Sequence, residues 1–233
     1  MKNLLLASTA MVLIAGTAHA AGLRGSYASI EAGATWFHPE QVAQTTTFSG
    51  TTVSNYGLYE TEYTTGWALL GSVGYAFDSG VRAELEAGYR SNDLNRLVDI
   101  LNSSLPTLPA DGEFSSFTIM ANALYDVPVS DQLALSFGLG VGVERAKLTI
   151  EELGFQDDTW QVAYQGLLGL NYNLSNRAQL FLNYRYLQTQ RPEYPWHLDP
   201  TTGENRLTSF VADLNRHTVT FGLRYGLGSI IPR

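Results

Sequence analysis

Apolar and polar residues alternate with a period of two along much of the chain, most clearly in its last long stretch. Between Arg216 and Leu227 one face carries His217, Val219, Phe221, Leu223, Tyr225 and Leu227. The other face carries Arg216 and Arg224 among threonines and glycines. Successive side chains of a strand point to opposite faces, whereas a helix would mix these two sets. The stretch is therefore predicted to be a strand with one apolar and one polar face.

The same alternation predicts seven earlier strands. The eight predicted strands lie at residues 26–37, 66–77, 81–90, 117–125, 133–144, 159–172, 178–186 and 216–227. Short turns follow the second, fourth and sixth strands. Long polar segments without a sustained period follow the first, third, fifth and seventh strands, at 38–64, 91–115, 145–158 and 188–214, and we expect them to be loops. Within the second of these loops, residues 97–101 are expected to form a short helical turn.

The third predicted strand indicates which face points inward. Val81, Ala83, Leu85, Ala87 and Tyr89 alternate with Arg82, Glu84, Glu86, Gly88 and Arg90. An arginine that faces lipid near the midplane costs about 2 to 4 kcal/mol, so the charged face must line an interior. A soluble barrel would instead place apolar residues inside and would have no reason for long loops at one end only. The pattern predicts an all-β, eight-stranded antiparallel up-and-down transmembrane β-barrel, with four long extracellular loops and short periplasmic turns.

Nine charged residues fall on the predicted inward faces. They are Glu31, Arg82, Glu84, Glu86, Arg90, Glu144, Arg185, Arg216 and Arg224. They allow two interpretations, a structural network of ion pairs that closes the lumen and a pore lining that selects small ions. Eight strands leave an interior just wide enough for side chains to fill, which favours the structural network. Gly138, Gly140 and Gly142 are expected to leave room for long charged side chains from across the barrel.

The first twenty residues have the organisation of a secretory signal peptide. Lys2 precedes an apolar run from Leu4 to Ala15, and Ala18-His19-Ala20 has the form of a cleavage site. The run is too short for a membrane anchor, which needs about 20 apolar residues. We therefore expect residues 1–20 to be removed and residues 21–233 to form the barrel domain.

Charge and cysteine content narrow the classes of partner. Without Lys2 the 14 basic residues become 13, against 22 acidic residues, so the mature chain has a formal charge of −9. This balance argues against a nucleic-acid partner. The chain has no cysteine, so no disulfide can stabilise the exported protein.

The closing strand reads His-Thr-Val-Thr-Phe-Gly-Leu-Arg-Tyr at residues 217–225. It resembles the opacity-type and outer membrane protein A-like small barrels of Gram-negative bacteria, whose closing strands often read His-Ser-Val-x-x-Gly-Leu-Arg-Tyr. The stretch Gly-Ser-Tyr-Ala-Ser-Ile at 25–30 also fits this family. One departure is that such proteins usually end at the terminal aromatic, whereas this chain continues through Gly226 to Arg233.

The resemblance implies a location and several partners. It implies residence in the cell outer membrane, in contact with membrane lipid and lipopolysaccharide. It also implies insertion by the outer membrane assembly machinery, which reads a terminal strand. The residues in the corresponding positions here are Phe221, Gly222, Leu223 and Tyr225.

No set of residues in the sequence predicts catalysis, a metal site or a cofactor. Some outer membrane barrels of this size act on lipid A, but His217 has Val219 as its neighbour on the same face, not a hydroxyl nucleophile. His38 and His197 lie in predicted loops, where a solvated histidine is the ordinary case. The acidic pairs at 151–152 and 157–158 are interpreted as solvated loop charge. A lipid A-modifying enzyme is therefore the weakest of the functional hypotheses.

Five aromatic residues in the predicted loops are candidates for surface binding. They are Tyr56, Tyr59, Tyr63, Tyr194 and Trp196. Exposed aromatics can anchor a host or cell-surface ligand, although they can equally pack loops together or extend an aromatic girdle. The sequence thus predicts a structural barrel with adhesin-like extracellular loops, and a narrow ion or small-solute channel is the alternative.

Overall fold

The computed structural model describes residues 23–37, 41–48, 51–99, 108–150, 155–189, 193–197, 207–211 and 215–228. The predicted signal peptide, its cleavage site and the last five residues lie outside these ranges, so those predictions stay predictions. Within the ranges, no helix is both long enough and apolar enough to cross a membrane.

Twelve strands form in the described residues. They are β1 (Gly25–Phe37), β2 (Gln41–Phe48), β3 (Thr51–Tyr63), β4 (Gly66–Ala76), β5 (Val81–Asp99), β6 (Leu108–Pro128), β7 (Leu133–Ile150), β8 (Phe155–Asn173), β9 (Ala178–Thr189), β10 (Glu193–His197), β11 (Leu207–Val211) and β12 (Arg216–Gly228). Eight of them close a ring in the order β1-β4-β5-β6-β7-β8-β9-β12, and β12 pairs again with β1. The predicted eight-stranded antiparallel barrel is confirmed.

The pairing of β1 with β12 closes the barrel. Their antiparallel register sets Ala28 opposite Tyr225 and Trp36 opposite His217. A lipid bilayer offers no water to satisfy backbone N–H and C=O groups, and a closed ring of strands leaves none of them on an open edge. Short turns join β4 to β5, β6 to β7 and β8 to β9, and they mark the periplasmic end. Gly80 provides the left-handed backbone, with φ of 84°, in the first of these turns.

The outer surface carries the apolar band that the alternation predicts. On β7 the outward residues Leu135, Phe137, Leu139, Val141 and Val143 are each between 39% and 70% exposed. Beyond this band the outward side chains become charged and mark its extracellular edge, at Asp93, Glu113, Arg145, Lys147 and Asp158. The strands β5 to β8 continue past this edge, so the barrel wall extends above the membrane.

The prediction of four irregular loops is wrong, because the described residues of these segments are largely strands. The first loop contains the paired strands β2 and β3, and the last contains β10 and β11. β11 also pairs with β2, and β3 pairs with β5, so the four extra strands form a sheet continuous with the barrel wall. Residues 97–99 belong to β5 rather than to a helical turn, and residues 100–101 lie outside the described part.

Residue type explains why these strands escaped the period-two pattern. Threonine, tyrosine and valine, which dominate β2 and β3, favour extended backbone. Above the membrane neither face of a strand has to meet lipid, so the alternation of apolar and polar residues is lost. Strand propensity and cross-strand pairing then determine the structure without leaving the signal on which the loop prediction depended.

The inward glycines of β7 were predicted to leave room for charged side chains from across the lumen, and this prediction is wrong. A Cβ added to Gly138 would lie 2.7 Å from Leu124, and one added to Gly140 would lie 2.1 Å from Asn122. Both neighbours belong to the adjacent strand β6, where they stand directly opposite these glycines. The lumen is therefore filled by pairing a large residue on one strand with a small residue on the next.

Candidate functional site: the charged lumen

The interior of the barrel contains all nine charged residues that the alternation assigned to inward faces. Glu31, Arg82, Glu84, Glu86, Arg90, Glu144, Arg185, Arg216 and Arg224 are each at most 8% exposed. Eight of them lie in three groups, one near each end of the barrel and one between them, and Arg90 stands apart from these ion pairs. A fifth carboxylate, Asp126, joins the periplasmic group, so five arginines face five carboxylates.

Arg82 organises the periplasmic group. Its Nε donates to Asp126 Oδ2 at 2.7 Å, and its Nη1 donates to Glu84 Oε1 at 2.5 Å. The hydroxyl of Tyr27 donates to the same Glu84 oxygen at 2.6 Å. Asp126 was not among the predicted lumen charges because the fourth strand was predicted to end at residue 125, whereas β6 continues to Pro128. One guanidinium thus holds two carboxylates on different strands.

Arg224 closes the same end by stacking between two aromatic rings. Its guanidinium carbon lies 4.5 Å from the centroid of Phe181 and 5.1 Å from that of Tyr27. Its Nη2 lies 3.4 Å from Glu84 Oε1, and its Nη1 donates to Gln179. Cation–π contacts of this kind strengthen when the charge is removed from water.

Arg185 connects opposite parts of the wall in the central group. It forms an ion pair with Glu31 through both terminal nitrogens, with Nη1 donating to Glu31 Oε2 at 2.9 Å. Its Nη2 also donates to Glu86 Oε2 at 3.0 Å, and its Nη1 donates to Thr220 Oγ1 at 2.9 Å. These contacts tie β9 to β1, β5 and β12. Removing one partner of such a buried pair costs about 3 to 5 kcal/mol, because a charge is left uncompensated.

Amide side chains satisfy the remaining oxygens of the central carboxylates. Asn122 Nδ2 and Gln165 Nε2 each donate to Glu86 at 3.3 Å. Asn183 Nδ2 donates to Glu31 Oε2 at 3.2 Å. These three amides were not among the predicted members of the network, although alternation places all of them on inward faces.

Arg216 occupies the extracellular end in the same way that Arg224 occupies the other. Its guanidinium carbon lies 5.4 Å from the centroid of Phe37 and 5.3 Å from that of Phe114. It forms an ion pair with Glu144, and its Nη1 donates to Ser116 Oγ at 2.6 Å. The lumen therefore carries a stacked, ion-paired arginine near each end, both from β12.

His217 lies on the outer surface in an aromatic cluster. Its ring stacks on Trp36 with centroids 5.7 Å apart, and Tyr186 lies at 5.2 Å. Its Nδ1 is 2.7 Å from the hydroxyl of Tyr184. These four residues form part of a ring of aromatic side chains at the extracellular edge of the apolar band. In the described part of the chain, no group of three His, Asp or Glu residues is arranged to hold a metal ion.

The five aromatic residues proposed for surface binding lie on strands. Tyr56, Tyr59 and Tyr63 belong to β3, and Tyr194 and Trp196 belong to β10. They therefore lie on the extracellular sheet, formed by β10, β11, β2 and β3, instead of on loops. Their side chains lie outside the described part, as does His38.

The residues proposed as the assembly signal lie on the closing strand. Phe221, Leu223 and Tyr225 face outward and are 59%, 43% and 50% exposed. Gly222 faces inward, where an added Cβ would lie 2.5 Å from Phe181 and 2.6 Å from Glu31. Glycine at this position lets the Phe181 ring reach the lumen beside Arg224.

An apolar outer band, a charged interior and eight closed strands define a small outer membrane β-barrel. The chain matches the outer membrane protein beta-barrel domain over residues 5–226, and it belongs to this family. It is thus a protein of the outer membrane, where its apolar surface contacts lipid and lipopolysaccharide.

Similar proteins agree with this assignment. The chain is 22% identical to a protein named outer membrane protein from Gluconacetobacter diazotrophicus, with 100% of this chain and 65% of that protein covered. It is 28% identical over 141 residues to an uncharacterized protein of Brucella abortus, with 50% of this chain and 49% of that protein covered. The matched part thus spans about half the length of the Brucella relative. In fold, it is similar to the crystal structure of the outer membrane protein OprG from Pseudomonas aeruginosa, with a TM-score of 0.59, 17% identity, and 89% of this chain and 99% of that chain covered.

Proposed function

We propose that this protein is a non-conducting structural barrel whose extracellular part makes adhesin-like surface interactions. The lumen network carries the first half of this proposal. Ion-paired arginines stack between aromatic rings near both ends of the lumen, and Arg185 joins opposite parts of the wall between them. An ion passing through would have to separate several buried pairs. The network therefore favours a structural role over a pore lining.

The extracellular sheet supports the second half of the proposal. The sheet β10-β11-β2-β3 is hydrogen-bonded to the barrel through the pairing of β3 with β5. Strand pairing holds a surface in place better than an irregular loop does, and a preorganised surface loses less entropy on binding. This sheet also carries the five candidate aromatic residues. Its ligand would be a host or cell-surface molecule. We propose no enzymatic activity for the protein.

Biogenesis follows from the same features as a further part of the proposal. Residues 1–20 would direct export and be removed. Phe221, Leu223 and Tyr225 would present the terminal strand to the outer membrane assembly machinery, with Gly222 between them. Support comes from the outward exposure of these three side chains on the strand that closes the barrel.

The folded wild-type barrel is expected to show no discrete ion current in planar bilayers. The double variant Glu84→Gln, Glu86→Gln should be less stable, because Arg82 and Arg185 lose charged partners, yet it should also remain silent. Single-channel recording tests this, after a heat-modifiable gel shift has confirmed folding. Reproducible openings of the stable wild type would establish the alternative function, a narrow channel for ions or small solutes.

Shortening the β2–β3 hairpin is expected to reduce surface binding without unfolding the barrel. Replacement of residues 44–56 by a two-residue turn removes most of the hairpin but keeps the β3 residues that pair with β5. Vesicles carrying each protein can be compared for adhesion to a panel of cells and immobilised glycans. The matched control replaces the turn residues 129–132 at the periplasmic end. Equal adhesion of all three proteins would contradict an adhesin-like role of this sheet.

A further inference from the structure

Two basic side chains lie next to each other on the outer surface, at the extracellular edge of the apolar band. Arg145 and Lys147 follow Val143, the last apolar residue on the outward face of β7, and both are exposed. Side chains two residues apart on a strand share a face and lie about 7 Å apart. Among the described side chains, these are the only arginine or lysine side chains that face outward at this edge.

The length of the apolar face places these two residues at the level of lipid headgroups. The outward apolar residues of β7 run from Leu133 to Val143, which is 10 residue steps. A strand of this length extends about 34 Å. The tilt of barrel strands reduces this to about 25 Å along the membrane normal, which is the usual height of the lipid-facing band. Arg145 therefore lies at the boundary of the hydrocarbon, and Lys147 lies just beyond it.

Lys147 forms no ion pair with a described side chain. Asp158 stands directly opposite it on β8, but Asp158 Oδ2 accepts from Arg145 Nε at 2.7 Å. Glu113, an outward carboxylate of β6, accepts from Ser91 Oγ at 2.8 Å, which holds it toward β5 and away from β7. The ammonium group of Lys147 is thus open to an anion in the headgroup layer.

Arg145 keeps a free donor although it is ion-paired. Its Nε and Nη2 both contact the same oxygen, Asp158 Oδ2, so Nη1 lies on the other side of the guanidinium. The side chain is 54% exposed, and an exposed pair of this kind is weak. A phosphate group offers several charged oxygens, and hydrogen bonds to it from a guanidinium or an ammonium are strong. Arg145 and Lys147 together therefore suit a phosphate.

Trp160 provides an aromatic surface beside the two basic residues. It stands opposite Arg145 on β8 and is 57% exposed. Tryptophan at this depth keeps its ring in the apolar layer and offers its indole N–H to headgroup oxygens. Elsewhere on the edge, Asp93 and Glu113 stand opposite each other on β5 and β6, where they repel an anionic headgroup. The β7–β8 side of the barrel is therefore the side that an anionic lipid can approach.

We propose that Arg145, Lys147 and Trp160 form a binding site for a phosphorylated glycolipid of the outer leaflet, lipopolysaccharide. A phosphate of its lipid A part binds Lys147 Nζ and Arg145 Nη1, and the adjacent sugar ring lies against Trp160. The acyl chains lie on the apolar residues below, which include Val143 and Val162. The site holds one lipid at a fixed position on the circumference of the barrel, whereas the rest of the apolar band contacts lipid without selecting it.

The folded wild type is expected to bind one molecule of lipid A in neutral detergent micelles, measured by titration with native mass spectrometry. A basic residue near an anionic lipid surface contributes a factor of about five to binding. Lys147→Gln should therefore weaken binding about five-fold, and the double variant Arg145→Gln, Lys147→Gln should weaken it about 25-fold. Dephosphorylated lipid A should bind the wild type no more tightly than lipid A binds the double variant. The gel shift confirms that each variant is folded.

Arg24→Gln provides the matched control. Arg24 is 53% exposed and pairs with the exposed Asp78 at 3.2 Å, much as Arg145 pairs with Asp158, but it lies at the periplasmic end. This variant should bind lipid A as the wild type does, and an equal loss would overturn the proposal. Equal binding by the wild type and the double variant, or equal binding of lipid A with and without phosphate, would also overturn it. Displacement of lipid A by millimolar inorganic phosphate would assign the residues to free phosphate instead of the lipid. None of these results depends on whether the barrel conducts or adheres.

Discussion

Replacing Arg185 with methionine is expected to lower the free energy of unfolding by about 3 to 5 kcal/mol. Methionine retains much of the side-chain length but leaves Glu31 and Glu86 buried without their cation. The amides that donate to these carboxylates cannot neutralise them. Urea titration of the folded barrel, followed by tryptophan fluorescence and the gel shift, measures the loss.

The corresponding change at Arg145 is the control for losing an arginine. Arg145 pairs with Asp158 on the outer surface, where its side chain is 54% exposed. Exposed pairs contribute about 0 to 1 kcal/mol, so Arg145→Met should remain within about 1 kcal/mol of the wild type. Equal effects of the two variants would show that the lumen pairs do not hold the barrel together.

Replacing Leu139 with arginine is expected to destabilise the barrel by about 2 to 4 kcal/mol in a lipid bilayer. Leu139 is 70% exposed and lies near the middle of the apolar face of β7. An arginine there has to place its charge in the hydrocarbon core. Folding yield and urea stability in phospholipid vesicles measure the effect.

Val129→Arg is the depth control for this experiment. Val129 is 58% exposed but lies in the periplasmic turn between β6 and β7. Close to the interface the cost of arginine falls to about 0 to 1 kcal/mol. A cost as high at Val129 as at Leu139 would mean that the apolar band does not lie where the exposed residues of β7 place it.

The membrane part of the fold was predictable because lipid imposes its pattern on every strand. The charged face of β5 fixed the inward direction, because placing Arg82 and Glu84 in lipid would destabilise the barrel. The extracellular strands were not predictable by the same means. No face of these strands has to meet lipid, so no alternation distinguishes β2 from a polar loop.

Membership of the lumen network was predictable from alternation, but the partners were not. Alternation places Arg185 and Glu31 inward, yet their meeting depends on the tilt and stagger of strands that are far apart in sequence. Asp126 was missed because the alternation of β6 is clear only as far as residue 125, and nothing in the sequence shows that the strand continues to Pro128. The isolation of Arg90 was equally hidden, since it depends on which carboxylates the other arginines take.

The closure of β1 onto β12 makes the order of synthesis important. Glu31 comes early in the chain, while its partners Arg185 and Thr220 are 154 and 189 residues further along. Contacts at such separation slow folding, because a long loop must close before they form. A chain lacking β12 would have no Thr220 beside Glu31, no Arg216 for Glu144 and no second strand beside β1. The arginines and carboxylates of the interior therefore become equal in number only when β12 has joined the barrel. A chain without β12 would carry unpaired carboxylates inside, and these would disfavour its insertion into the membrane.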